Sequence, residues 1–394
     1  MNQSTRPPNA SAAPVIASKL PDIGTTIFTV MSQLAAEQQA LNLSQGFPDF
    51  DGPEHLLERV QHYLTHGHNQ YAPMTGMPAL REAIAGKVAD LYGLKLDPVT
   101  EITVTSGATE ALFCAIAAVV KPGDEVIVFD PAYDSYEPVV RLQGGVTHHV
   151  PMHPPAFQID WNQVADLIND RTRLIITNTP HNPTGSTWNH GDIEALQQLT
   201  AGRNLFVLAD EVYEHIVFDG ARHESLCLYP ELFSRSFVVS SFGKTYHTTG
   251  WKIGYCCAPA ALSEEFRRIH QYVTFTSNTP VQLGLADFLT DCPEHHQQLG
   301  EFYQRKRDLF CGLLTDSRFG IVPSAGTYFQ LLDYSQISAE KDTDLARRLT
   351  CEVKIASIPT SPFYAADSGH KVLRFCFAKD DATLHHAAEI LCSL

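Results

Sequence analysis

The sequence predicts an α/β fold, with a large domain whose mainly parallel sheet is flanked by helices and a small α+β domain beside it. Three observations favour this architecture. The chain has 394 residues, which is enough for two domains at roughly 100–200 residues each. From about residue 100, short apolar runs alternate with stretches of helical length, which is the pattern of strand–helix–strand units. After about residue 290 this alternation ends, and a long charged helix precedes short strands.

The predicted strands of the large domain share a near-continuous apolar character, which is typical of strands buried on both faces of a sheet. They cover residues 102–106, 125–130, 174–178, 205–210, 237–241 and 253–258. Residues 108–119 and 192–200 have the length and composition of helices. Because helical stretches separate several of the strands, we expect a mainly parallel sheet.

The C-terminal part of the chain indicates a different arrangement. Predicted helices at 297–314, 343–350 and 382–391 combine with short strands at 327–332 and 372–377. The sequence therefore predicts four regions. They are a flexible tail at 1–20, a segment at 21–44 that contributes to the small domain, the large domain at 45–290 and the small domain at 291–394.

The charge balance and the apolar runs restrict the possible partners. With 28 Lys and Arg against 44 Asp and Glu, the net charge is −16, which disfavours nucleic-acid binding because that depends on neutralising phosphates. The longest apolar run, residues 111–120, is about half of the ~20 residues that span a bilayer. Residues 1–20 lack the apolar stretch of a signal peptide. We therefore expect neither a nucleic-acid nor a membrane partner.

The cysteines and histidines bear on location and metal binding. Nine cysteines, without a C-x-x-C pair, favour a reducing, cytoplasmic compartment. The 18 histidines include His148, His149 and His153, but prolines interrupt that segment, and no H-E-x-x-H motif occurs. The sequence therefore predicts no metal site.

Polar residues follow four of the predicted strands. They are the turn 107–109, Asn182, Asp210 with Tyr213, and Lys244. In an open parallel sheet, ligands bind beyond the carboxyl ends of the strands, and a helix that starts there can hold a phosphate. Each group alone has an ordinary explanation, as a turn glycine, a turn amide, a helix cap or a surface lysine. Their shared position at one edge of the sheet favours a site.

Other nucleotide and hydrolase sites are disfavoured by spacing. The G-K-T at 243–245 resembles the end of a P-loop, but that motif requires glycine where this chain has Val238. The chain has no G-x-G-x-x-G after a strand and no G-x-S-x-G elbow.

The polar segments resemble those of the class I (fold-type I) aminotransferases, which use pyridoxal 5′-phosphate (PLP). The matching segments are SSFGKT at 240–245 with GWKIG at 250–254, NTPHNPTG at 178–185, ADEVY at 209–213 and LRFCF at 373–377. The likeness runs from about residue 20 to the C-terminus. Within the family, LSQGFPDF at 43–50 and RFCFAKD at 374–380 are similar to the branch of methionine aminotransferase, kynurenine aminotransferase and glutamine transaminase K.

The resemblance implies catalytic and cofactor-binding roles. Lys244 would carry the cofactor and move the substrate α-proton. Asp210 would pair with the pyridine nitrogen, Tyr213 and Asn182 would donate to the ring oxygen O3′, and Tyr133 would stack on the ring.

The cofactor phosphate would be bound at the start of a helix. The residues implied are Gly107, Ala108, Thr109, Ser241 and Lys252, with lysine at a position where many relatives carry arginine. Tyr71 would reach the phosphate of a neighbouring subunit, which implies a homodimer with shared active sites.

The substrates implied are an amino acid and a 2-oxo acid. Arg374 would bind the α-carboxylate in a bidentate manner, with help from Asn182 and the backbone of Gly46. Phe28, Tyr71 and Phe275 would line the side-chain pocket. The segment 272–278 contains no Arg or Lys, so we expect an apolar, sulfur-containing or aromatic donor, methionine first, in preference to aspartate. Phe28 and Phe275 could instead be core residues.

Two alternative functions follow from the same residues. A C–S β-lyase acting on cysteine conjugates or cystathionine begins with the same α-proton abstraction, so Lys244, Asp210 and Tyr213 do not separate it from an aminotransferase. A non-catalytic regulator of the same fold is disfavoured, because Lys244 is present and the likeness covers nearly the whole chain.

Overall fold

The computed structural model describes residues 15–394. Residues 1–14, which form most of the predicted tail at 1–20, lie outside the described residues. Val15 and Ile16, which follow directly, are 95% and 93% exposed. The described chain thus begins with residues that pack against nothing.

The strands fall into three sheets. In chain order they are β1 (Leu41–Asn42), β2 (Ile102–Thr105), β3 (Glu125–Asp130), β4 (Val146–Pro151), β5 (Thr172–Asn178), β6 (Phe206–Asp210), β7 (Ser236–Ser241), β8 (Gly254–Cys257), β9 (Gly320–Ile321), β10 (Phe329–Asp333), β11 (Ile355–Ala356), β12 (Ile358–Pro359) and β13 (Val372–Cys376). Seven strands form the large sheet in the order β2-β8-β7-β6-β5-β3-β4. Its pairs are parallel except for those that β8 makes with β2 and β7. The predicted mainly parallel sheet is therefore confirmed.

Helices connect these strands. Within the described residues they are α1 (Ile27–Glu37), α2 (Glu54–Thr65), α3 (Pro78–Tyr92), α4 (Ala108–Val119), α5 (Tyr136–Leu142), α6 (Trp161–Leu167), α7 (His190–Thr200), α8 (Pro230–Phe233), α9 (Phe242–Thr245), α10 (Ala260–Val273), α11 (Thr279–Asp291), α12 (Glu294–Leu313), α13 (Asp342–Arg348) and α14 (Asp381–Cys392). None of the helices in residues 15–394 is both long and apolar enough to cross a membrane.

The large sheet is buried on both faces. In β6, Val207 and Ala209 pack into one apolar cluster together with residues of α2, α3, α7 and α11. Leu208, which points the opposite way, packs into a second cluster with α4 and α5. This two-sided burial explains the continuous apolar runs of the central strands.

A third cluster belongs to the four-stranded antiparallel sheet β12-β13-β10-β9. Met31 and Leu43 pack there with Phe310 of α12 and Phe375 of β13. The N-terminal segment is also joined to this part by the short parallel pair β1–β11. The predicted division at residues 44 and 290 stays a prediction.

Two features of the large sheet were not foreseen. Strand β4 is missing from the predicted strands because its first four residues are only partly buried or exposed, as suits an edge strand. The predicted strand at 253–258 is present as β8 but runs antiparallel to β7. A turn of only twelve residues, 242–253, joins β7 to β8 and contains α9, so the chain returns without a crossover helix.

Candidate active site

A cavity lies at the carboxyl ends of the parallel strands of the large sheet. Its lining comes from every strand end at which the sequence predicted a functional group. The lining residues are Gly107, Ala108, Thr109, Leu112, Tyr133, Asn178, Asn182, Asp210, Val212, Tyr213, Ser241, Gly243, Lys244, Thr249 and Lys252. The topology thus brings together residues that are up to 145 positions apart, from Gly107 to Lys252.

One end of the cavity is formed by the start of α4. Gly107 has a φ of +78°, which glycine adopts without the steric cost that a Cβ imposes. A Cβ at Gly107 would lie 3.3 Å from Cε and 3.4 Å from Nζ of Lys252. The glycine therefore leaves the lysine amine room beside the free N–H groups of the helix start. Free amides and an ammonium group together favour a phosphate.

The start of α4 is anchored from below by Glu110. Its Oε2 accepts a 2.6 Å hydrogen bond from the Ser106 amide, and its Oε1 lies 2.5 Å from Nδ1 of His270. The other ring nitrogen of His270 donates to the carbonyl of Met74 at 2.8 Å. Glu110, His270 and Cys114 have potential metal-ligand atoms within 4.8 Å of one another. Glu110 and His270 already use these atoms in hydrogen bonds with each other and with the backbone.

Asp210 is buried at the end of β6, where it is 4% exposed. Tyr136 donates a 2.7 Å hydrogen bond to its Oδ2, and the Val212 amide donates a long 3.4 Å bond to Oδ1. Burial raises the pKa of Asp210 to about 6, against the hydrogen bond from Tyr136 and the charge of Lys244, which lower it. A cationic nitrogen in the cavity would restore the ionised form.

Lys244 lies in α9, with its amine beside the N-terminal segment. Its Nζ donates to the hydroxyl of Tyr328 at 2.9 Å and to the carbonyl of Gly46 at 3.1 Å. Burial lowers the pKa of Lys244 to about 8, and the positive charges of Arg374 and Lys252 contribute. A neutral, nucleophilic amine is therefore accessible near neutral pH.

Arg374, in β13, is 1% exposed and approaches the cavity from the small sheet. Its Nη1 donates to Oδ1 of Asn182 and its Nη2 to the carbonyl of Ser44, each at 2.7 Å. The guanidinium carbon lies 3.9 Å from the centre of the Phe329 ring. Its Nε is buried without a hydrogen-bond partner. This fixed cation therefore keeps one N–H group that can donate a hydrogen bond to a carboxylate oxygen.

Phe28 lies beside this guanidinium. Its ring centre is 5.0 Å from the guanidinium carbon of Arg374, 6.5 Å from the ring of Tyr133 and 5.2 Å from that of Phe363. Aromatic surface therefore flanks the cation.

Five predicted site residues, Phe28, Gly46, Tyr71, Phe275 and Arg374, are not among the residues that line this cavity. Tyr71 and Phe275 are 85% and 44% exposed, and their rings meet edge to face with centres 5.7 Å apart. Tyr272 and Val273, which precede Phe275 closely in the sequence, are exposed as well.

Three residues at the site were not predicted. Asn178 begins the NTPHNPTG motif and has no predicted role, yet its side chain donates to the Asp210 carbonyl and accepts from the Asn182 amide. Tyr136 lies three residues after Tyr133, at a spacing that could have suggested a shared helix face. Tyr328 carries no local signal, since it meets Lys244 only through the tertiary fold.

Comparisons with known proteins agree with this geometry. The family model for class I and II aminotransferases matches residues 38–391. The methionine aminotransferase of Escherichia coli (strain K12) is 55% identical over 374 residues, which is 95% of this chain and 97% of that protein. A crystal structure from E. coli with a methionine aminotransferase function has a TM-score of 0.95 and 54% identity, and the match covers 97% of this chain and 100% of that one.

More distant relatives share the whole length. The structure of N-succinyldiaminopimelate aminotransferase from Mycobacterium tuberculosis has a TM-score of 0.93 and 38% identity, over 96% of this chain and 100% of that one. A kynurenine–oxoglutarate transaminase of Dictyostelium discoideum is 32% identical over 410 residues, which is 94% of each protein. A family match over most of the chain, full-length relatives and a strand-end cavity lined by a lysine and an aspartate lead to one conclusion: the chain belongs to the class I and II aminotransferases and is a PLP-dependent transaminase of fold-type I.

Proposed function

We propose that the protein transfers the amino group of an apolar, sulfur-containing or aromatic amino acid, methionine first, to a 2-oxo acid. The observation that carries this is the aromatic surface beside Arg374. The arginine would offer its free Nε to the α-carboxylate, and Phe28, whose ring lies beside the guanidinium, would line the side-chain pocket. Tyr133, whose ring centre is 6.5 Å from that of Phe28, would stack on the cofactor ring. Such rings favour a thioether or an aromatic group. The similarity to a methionine aminotransferase supports the same donor.

The arrangement also supports roles for the residues around the cofactor. PLP, when bound, supplies an electron sink for negative charge at the substrate α-carbon. Asp210, held by Tyr136, would pair with the cationic ring nitrogen. Tyr213 and Asn182, which line the same cavity, would donate to O3′. Lys244 would move the α-proton, because its lowered pKa makes the amine a base near neutral pH.

The phosphate would lie against the start of α4. The residues proposed to bind it are Gly107, Ala108, Thr109, Ser241 and Lys252, which line one cavity. Lys252 provides a point charge there rather than the fork of an arginine.

We also propose a homodimer with shared active sites. The exposed rings of Tyr71 and Phe275 support it, since a contiguous apolar surface usually marks an interface. Each chain would then supply these two residues to the site of its partner. A cytoplasmic location is proposed because all nine cysteines, each within the described residues, are free thiols.

A donor panel tests the substrate proposal. Purified protein loaded with PLP is given methionine, phenylalanine, glutamine or aspartate with one 2-oxo acid in common, and the new oxo acid is measured. We expect kcat/KM for methionine or phenylalanine to exceed that for aspartate by at least about 10-fold, since an anionic side chain would meet only rings and polar groups. Equal or faster turnover of aspartate would contradict the proposal. Lys244→Ala is the inactive control, and exposed Lys354→Ala is the matched active one.

The same protein distinguishes the lyase alternative. Release of pyruvate and ammonia from a cysteine conjugate, in the absence of any 2-oxo acid, would indicate β-elimination. The relatives reported above are aminotransferases, so transamination is the reaction proposed here.

A further inference from the structure

Tyr328 is a buried tyrosine in direct contact with the reacting amine. Its hydroxyl donates to the carbonyl of Gly46 at 2.8 Å and accepts from Nζ of Lys244 at 2.9 Å. The same amine donates to the Gly46 carbonyl at 3.1 Å. These three polar atoms form a closed triangle. Because the hydroxyl donates its only proton to the Gly46 carbonyl, Tyr328 can act toward the lysine amine only as a hydrogen-bond acceptor.

The hydroxyl cannot easily move away from the amine. The side chain is fully buried, and its ring packs edge to face on Tyr213 and Phe329 and at a tilt on Tyr303, with ring centres 4.9–5.5 Å apart. Buried aromatic rings of this kind have few alternative rotamers. The hydroxyl oxygen of Tyr328, which accepts the hydrogen bond from Lys244, is therefore held at one position.

The backbone just before Tyr328 is strained. Thr327 has a φ of +65°, a left-handed conformation that is unfavourable for a β-branched residue. Its hydroxyl accepts a hydrogen bond from the Phe329 amide at 3.2 Å, and its own amide donates to the Ile216 carbonyl. These bonds hold the strained residue in place. Strain of this kind concentrates at functional sites, where the surrounding structure maintains it.

We propose that Tyr328 is a positioning residue that holds the Lys244 amine whenever the amine is not bonded to the cofactor. In a transaminase the lysine amine would move the substrate α-proton while it is free of the cofactor. A four-carbon side chain with a free amine would otherwise sample many rotamers. With two N–H groups donated to Tyr328 and Gly46, the neutral amine directs its lone pair away from both acceptors. The inference rests on the transaminase reaction and not on the choice of amino donor.

The first test measures the amine itself in cofactor-free protein. The reactivity of Lys244 toward an acylating reagent is followed against pH by peptide mass spectrometry in wild type and Tyr328→Phe. Hydrogen bonds to an ammonium group favour the charged form, so removing the hydroxyl is expected to lower the pH midpoint by about one unit. The other groups near this amine stay unchanged in the variant. They include Arg374, Lys252, Asp210 and Cys376, and Tyr213, whose ring centre lies 5.7 Å from Nζ.

Tyr303→Phe is the matched control. Tyr303 is equally buried and packs on Tyr328, but its hydroxyl contacts Nδ1 of His247 at 3.0 Å rather than the lysine. In Tyr303→Phe, the pH midpoint of Lys244 reactivity is expected to stay at the wild-type value. An unchanged midpoint in Tyr328→Phe, or an equal shift in Tyr303→Phe, would overturn the proposal. If Tyr328→Phe does not fold, fluorotyrosine at position 328 replaces it, because its hydroxyl is a weaker acceptor and shifts the midpoint in the same direction.

A second test uses the loaded enzyme with whichever amino donor proves best. In Tyr328→Phe, kcat is expected to fall by about 10-fold with little change in KM, and the effect of α-deuteration on kcat is expected to increase. A residue that only supports packing would lower the melting temperature and leave the isotope effect unchanged. Because the first test needs no donor, failure of the methionine proposal does not affect it.

Discussion

Oδ1 of Asn182 accepts a 2.7 Å hydrogen bond from Nη1 of Arg374, and this contact joins the two main sheets at the active site. Asn182 belongs to the turn after β5 of the large sheet, and Arg374 lies in the middle of β13 of the small one. The carbonyl of Ser44 holds the other terminal nitrogen. The guanidinium is thus oriented before any substrate binds, and this lowers the cost of positioning the substrate carboxylate.

Arg374→Lys is expected to keep the positive charge but lose the planar guanidinium with its several N–H donors. A lysine amine cannot bond to Asn182, Ser44 and a carboxylate with the same planar geometry. We expect kcat/KM for the amino donor to fall by ~10–100-fold, which corresponds to about 1.5–3 kcal/mol for a hydrogen bond to a charged group. Steady-state kinetics with methionine measure this. A value within about 2-fold of wild type would contradict the role assigned to the fork.

Asp210→Asn is expected to stabilise the cofactor-free protein while abolishing transamination. Burial raises the pKa of Asp210 from its usual value of 3.8 to about 6, so the folded state binds the proton more tightly than the unfolded state does. Wild-type stability therefore increases as the pH falls through 6 toward 4, and the ionised carboxylate is a cost above 6. At pH 8 we expect the variant to be more stable by on the order of 3 kcal/mol.

Denaturant unfolding of both cofactor-free proteins at pH 8 and pH 4 measures this difference. The advantage of the variant should nearly disappear at pH 4, where the folded-state carboxyl is neutral and the unfolded-state carboxyl, with a pKa of 3.8, is roughly half ionised. A difference that stays constant with pH would indicate that packing, and not ionisation, is responsible.

Gly254→Ala is expected to weaken cofactor binding. Gly254 begins β8 directly beneath the start of α4, and a Cβ there would lie 2.8 Å from the Ala108 nitrogen, the Gly107 carbonyl carbon and the Ser240 oxygen. All three are backbone atoms, so the turn proposed to bind the phosphate must shift. We expect a loss of stability of about 1–3 kcal/mol and a lower affinity for PLP in equilibrium titration. Gly250→Ala is the control, because a Cβ at Gly250 has no atom within 4 Å.

Mixing two inactive variants tests the shared active sites. Lys244→Ala lacks the amine proposed to move the α-proton, and Tyr71→Ala lacks the residue proposed to enter the partner's site. In a hybrid dimer one site carries both defects and the other carries neither. An equal mixture, after subunit exchange, should therefore recover about a quarter of wild-type activity, since half of the dimers are hybrids with one intact site each. No recovery, with exchange demonstrated by native mass spectrometry, would contradict shared sites.

Much of the candidate site could be predicted because strand ends are visible in the sequence. Asn182, Asp210 and Lys244 each follow an apolar run, and runs buried on both faces in a parallel sheet place their carboxyl ends together. The observed strands β3, β5 and β6 end at the predicted residues. Those side chains accordingly line one cavity.

The site residues that could not be predicted from the sequence contact residues far away along the chain. Tyr136 meets Asp210 across 74 positions, and Tyr328 meets Lys244 across 84. A single tyrosine before a strand resembles any other aromatic core residue. The antiparallel direction of β8 was likewise hidden, because an apolar run does not encode which way its neighbours lie.

Local patterns were therefore sufficient for the α/β class, the strand ends and the family, since burial periodicity and motif spacing are properties of consecutive residues. Only the tertiary structure placed Asn182 against Arg374, left Tyr71 and Phe275 on the surface and brought Tyr328 to the Lys244 amine. Those relationships depend on how two sheets pack, and packing is decided by the shapes of side chains far apart in the chain.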